Sequence, residues 1–170
     1  MKGDLHTLKR ICEYASKVML VGSVVIGVAL AAFVVLAVCS GFSDSAADIL
    51  RTLSGLDKPT NVRSVASVAV VIVILCMAMA TVLTVYSVMS SIVREHSPFN
   101  ERNTGSVIEL SKMYLVCSVC LAILSLLSAA GIVQILFLLF GCILVGVVLY
   151  CFGLTVRYGA VLQDESDHTL

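Results

Sequence analysis

The chain has 170 residues, 11 basic and 11 acidic side chains, 59% hydrophobic and 13% charged residues, and a mean hydropathy of +1.06. A soluble domain carries roughly 25% charged and about 45–50% apolar residues, so half the charge needed to face water is missing and the chain belongs in a membrane. Zero net charge also removes the basic excess expected of a domain that binds nucleic acid directly.

The charges fall in five places: Lys2–Lys17, Asp44–Arg63, Arg94–Lys112, Arg157 and Asp164–His168. In the first, Leu5, Leu8, Cys12, Ala15 and Met19 recur at helical spacing opposite Lys9, Arg10, Glu13 and Lys17. That pattern predicts an amphipathic helix over 5–17, lying on the inner leaflet before turning into the first span. The charge-free run Val18–Ser43, 26 residues long, gives a span over 18–42, since about 20 apolar residues cross a bilayer core. It is too long for the apolar region of a cleaved signal, about 7–15 residues, and Val38 is not the small residue a lipoprotein cleavage box needs before Cys39.

The outer loop, 43–64, holds a short helical candidate with Asp44 or Ser45 as cap and Ile49 and Leu53 on one face, broken at Leu56-Asp57-Lys58-Pro59. A second charge-free run, Ser64–Val93 with 30 residues, predicts a span over 65–93. In the inner loop, 94–112, Pro98 ends the helix, Phe99 can dip into the interface, and Asn100 and Asn103 are turn formers. Ser106 with Glu109 reads as a capping box starting the next helix. The third run, Met113–Val156, has 44 residues; one helix of that length would be about 66 Å long, twice the hydrocarbon thickness. It must fold back, and Ser128-Ala129-Ala130-Gly131 mark the place, leaving spans over 113–130 and 132–156 before a tail over 157–170. The fold class is all-α: one polytopic membrane domain, a bundle of four transmembrane helices.

Orientation follows from basic residues in the short loops. With the N-terminus inside, eight of the eleven lie on the inner side and three, Arg51, Lys58 and Arg63, outside, which places both termini in the cytoplasm. Tyr14, Tyr114 and Tyr158 fall at the inner boundary, where an amphipathic ring is expected.

No Asp, Glu, Lys, Arg or His lies within a span, and such groups normally mark transport routes. Thr81, Thr84, Ser87 and Ser91, with Ser118, Ser125 and Ser128, suit helix contacts better than a pore, as do Gly22, Gly27, Gly141 and Gly146. Six of seven cysteines sit in spans; Cys117 and Cys120 form a C-x-x-C without a second ligand pair, so structural packing is expected rather than a metal or disulfide. No catalytic constellation is present, so neither enzymatic activity nor a cofactor is expected.

The least ordinary polar residues are Pro98, Phe99, Asn100 and Asn103 in the inner loop and Tyr158, Gly159, Leu162 and Gln163 in the tail. Emerging on one surface, they can form one docking face for a cytoplasmic protein. These elements, with Glu165, Asp167, Thr169 and Leu170, resemble the pattern of the small bacterial membrane proteins grouped as domain of unknown function 2975. The resemblance runs along essentially the whole chain; His168 stands where that family often has an acidic residue. It implies a multi-pass protein of the bacterial inner membrane, with no assigned reaction, and by association a small helix-turn-helix DNA-binding regulator as partner. The expectation is therefore a regulatory or interaction protein, with a small transporter or exporter subunit, or a membrane tolerance protein, as the alternative. In that alternative a homo-oligomer would build a pathway that one bundle lacks.

Overall fold

The computed structural model describes the backbone at residues 2–40, 42, 48–49, 52, 61–95 and 101–168. Four long helices are present: α1 (Lys2–Cys39), α2 (Asn61–Glu95), α3 (Glu101–Leu127) and α4 (Ile132–His168). Each contains a stretch long and apolar enough to cross a membrane: Arg10–Cys39, Arg63–Val93, Asn103–Leu127 and Ile132–Gly159. The chain's two prolines, Pro59 and Pro98, fall between helices, so no helix interior loses a backbone donor. In hydrocarbon this matters, because every backbone group must be satisfied within the segment.

The elements run longer than their apolar spans. No turn separates residues 5–17 from the first span; α1 is one unbroken helix of 38 residues, because nothing near Lys17 breaks the hydrogen-bond ladder. Likewise α3 begins at Glu101, so Ser106 and Glu109 lie inside the helix and do not act as its capping box. The tail is helical through His168 as a continuation of α4. Of the short helix expected in the outer loop, Asp48, Ile49 and Thr52 are helical and Thr52 Oγ1 donates to the Asp48 carbonyl at 2.9 Å; the remainder lies outside the described residues.

The fold-back is where the composition places it, and its geometry is a Schellman turn. Ala130 N donates to Ser125 O and Ala129 N to Leu126 O, both at 3.1 Å, closing the last turn of α3 in the six-to-one and five-to-two pattern. Gly131 O accepts from Gln134 N and Ile135 N and so opens α4. The left-handed position is Ala129, with φ of 57°, where a Cβ costs about 1–2 kcal/mol. Ala129→Gly is therefore expected to stabilise the protein by about 1 kcal/mol, read as a later unfolding midpoint in a denaturant titration in micelles. An unchanged or earlier midpoint would refute the strain.

The helices do not close into a bundle. Among the described residues α1 packs on α2, α2 on α3 and α3 on α4, with no contact between any other pair. The result is an open row in which only α2 and α3 are covered on two sides. Neighbours are antiparallel, as the contacts show: Gly27 faces Met79 and Gly22 faces Val82; Thr81 bonds Tyr114 across α2 and α3; Gly146 meets Ser111 and Leu115 while Gly153 meets Ile108. Both ends of the chain therefore lie at one edge of the layer, called here the terminal end, and the Ala129 turn lies at the other.

Candidate functional site

At the terminal end α4 is longer than its apolar stretch. The turn at 128–131 fixes the far end of α4, whose 37 residues make about 55 Å against a hydrocarbon core of about 30 Å. The helix thus continues past its apolar stretch, which ends at Gly159, as far as His168. At α1 the corresponding segment carries Glu13, Tyr14 and Lys17; Lys17 Nζ donates to Glu13 Oε1 at 2.9 Å and lies 6.0 Å from the Tyr14 ring centre. Such an exposed i,i+4 pair orders the helix surface without adding much stability.

The expected docking residues fall in different environments. Pro98, Phe99 and Asn100 lie outside the described residues, as do the side chains of Leu162 and Gln163, whose backbone is helical. Tyr158 is 70% exposed and Gly159 half-buried. Asn103 is only 4% exposed, and its Nδ2 has no hydrogen-bond partner. Its side chain is thus buried, whereas that of Tyr158 is open. A buried unpaired donor costs about 1–3 kcal/mol, so Asn103 is an unsatisfied polar group in the first turn of α3.

Several hydroxyls within the apolar stretches have partners close at hand. Thr81 Oγ1 donates to Met77 O at 2.8 Å and lies 2.8 Å from the Tyr114 hydroxyl, while Thr84 Oγ1 donates to Ala80 O at 2.9 Å. Tyr114 is therefore a tie between α2 and α3. On α3, Thr104, Ser111, Ser118 and Ser125 recur every seven residues, and all are buried. Ser111 and Ser118 return their hydroxyls to Ile108 O and Leu115 O, each at 2.7 Å. Small side chains with hydroxyls bonded to their own helix let neighbouring helices approach closely without leaving a polar group unsatisfied. Thr104 and Ser111 were not singled out by residue type alone; the seven-residue step was the available signal.

The cysteines are all free thiols: Cys12 is buried, Cys117 and Cys142 are half-buried, and Cys39, Cys76, Cys120 and Cys151 are exposed on the helices. Among the described residues, no three of His, Cys, Asp and Glu form a group that could hold a metal ion. Set against known proteins, the chain matches no family model, no curated protein and no solved structure.

Proposed function

We propose that this is a non-enzymatic protein of the bacterial inner membrane that holds a cytoplasmic partner at its terminal end, the partner being a small helix-turn-helix regulator. The observation that carries the reading is the unbroken continuation of α4 to His168, past the apolar stretch that ends at Gly159. It displays Tyr158 and Val161, 70% and 51% exposed, and the sequence that follows carries Asp164, Glu165 and Asp167. An aromatic anchor beside polar groups is the composition that dominates protein contacts, and a preformed helix loses less conformational freedom on binding than a loose tail. The basic-residue bias directs this end to the cytoplasm, and the resemblance to domain of unknown function 2975 agrees with that placement.

The test is affinity purification in mild detergent with mass spectrometry, comparing wild type with Tyr158→Ala, Phe99→Ala and a chain lacking 163–170. A helix-turn-helix protein should accompany wild type and fall at least fivefold in all three variants, at unchanged levels of inserted protein. Impermeant thiol labelling of a cysteine at Ser166 should require permeabilised cells. Loss of function confined to Thr84 and Ser87 substitutions, with no such protein retained, would overturn the reading in favour of transport.

A further inference from the structure

The first turn of α3 gathers hydrogen-bond donors, and one of them is buried without an acceptor. The opening N–H groups of a helix have no partner inside it and carry the positive end of its dipole; α3 starts at Glu101. Asn103, in that turn, is 4% exposed, and its Nδ2 is enclosed with no hydrogen-bond partner. A helical side chain leans toward the N-terminus of its own helix, so the Asn103 amide lies over the same turn as those N–H groups. The neighbouring helix adds charge. Gly153 on α4 stands against Val107 and Ile108. Four residues on from Gly153 is Arg157, and four residues back from Val107 and Ile108 are Asn103 and Thr104. Because α3 and α4 run antiparallel, those matched steps set Arg157 level with Asn103 on the facing side. Arg157 is exposed and has no ion-pair partner among the described residues.

We propose that the N-terminus of α3, Asn103 and Arg157 form a site for one phosphate group, supplied by an anionic phospholipid or by a free phosphate ion. Every part of the site donates. N–H groups at a helix start are a ready anion site, and a guanidinium can grip two phosphate oxygens at once. The Asn103 amide can turn toward the ligand about a terminal torsion that has no sharp staggered wells, which gives its orphaned Nδ2 an acceptor. In sequence Glu101 and Arg102 balance one another at the start of the turn, so the excess positive charge comes from Arg157 and the helix end. The apolar stretches of α3 and α4 terminate here, at Asn103 and Gly159, the level at which a bilayer holds its phosphates. The site does not rest on the partner reading above, which is carried by Tyr158, Val161 and the tail.

The test is the unfolding midpoint of the full-length chain in neutral-detergent micelles with phosphatidylglycerol, phosphatidylcholine or inorganic phosphate added, beside native mass spectrometry of the ligand retained. A ligand that binds only the folded state raises the midpoint. Phosphatidylglycerol should raise that of wild type. Asn103→Leu and Arg157→Gln should each retain about tenfold less of it, the loss of one hydrogen bond to a charged group. Asn103→Leu keeps the branched outline of the side chain and removes the donor, whereas Arg157→Gln alters an exposed residue and leaves the buried seam alone. Lys112→Gln is the charge control: nine residues along α3 from Asn103, it stands on the opposite side of that helix and should bind as wild type does. A response to phosphatidylglycerol alone assigns the phosphate to a lipid, and a response to inorganic phosphate as well assigns it to the free ion; either supports the site. No response in wild type, a phosphatidylcholine response as large as that to phosphatidylglycerol, an undiminished response in either variant, or an equal loss in Lys112→Gln would each overturn the proposal.

Discussion

Valine at both Gly146 and Gly153 is expected to force α3 and α4 apart and to destabilise the protein by about 1–3 kcal/mol per site. A Cβ on Gly146 would lie 3.2 Å from Leu115 and 3.3 Å from the Ser111 carbonyl oxygen, and one on Gly153 would lie 2.8 Å from Ile108 Cγ1. At Gly146 the obstacle includes backbone, which cannot turn aside; at Gly153 it is a β-branched side chain with few alternative rotamers. Both glycines face the central helix, so the damage spreads to the α2–α3 seam. Gly141 is the matched control: it lies in the same helix, but nothing stands within 4 Å of a Cβ placed there, and Gly141→Val should leave stability nearly unchanged. The measurement is the unfolding midpoint in micelles for the three single variants and the pair. Equal sensitivity at Gly141 and Gly146 would show that helix propensity, not close approach, sets the cost.

The number of long apolar helices was legible because charge and hydropathy report directly on what hydrocarbon accepts. The Ser128–Gly131 turn was legible too, since 44 charge-free residues cannot cross once. The helix ends were not. Lys9, Arg10 and Lys17 mark where the apolar stretch begins, but a helix has no reason to stop where polarity changes, so α1 and α4 run on. Nor could composition distinguish an open row from a bundle. Valine facing lipid and valine facing valine are alike in hydropathy, and which side of α1 stays bare depends on where Gly22 and Gly27 meet α2. At the candidate site, Asn103 was legible as an unusual polar residue but not as a buried one. An asparagine in the first turn of a helix serves equally as a surface group or within a seam, and only the packing of α3 decides.

Aspartate at Ser118 should be the most damaging single change in the membrane-spanning part. Ser118 is 1% exposed, sits near the middle of the α3 span Asn103–Leu127, and lies on a helix covered by α2 on one side and α4 on the other. A charge at the centre of a transmembrane helix costs roughly 2.5–3.5 kcal/mol on insertion, and a short buried side chain on a doubly covered helix has no route by which to reach the interface. Ser118→Leu keeps the apolar character but inserts bulk into the seam, so it should cost about 1–3 kcal/mol by overpacking. Ser118→Ala should be nearly silent. The lost hydroxyl bonds Leu115 O, an oxygen already within the helix ladder, and the small size needed for close packing is kept. The expected order of destabilisation is Ala, then Leu, then Asp, followed through the yield of inserted protein and the unfolding midpoint. The same series separates packing from passage: a hydroxyl that lined a transport route would make the alanine variant lose activity at full stability. Normal behaviour of Ser118→Ala beside failure of Ser118→Leu would instead tie this stripe to helix contact alone.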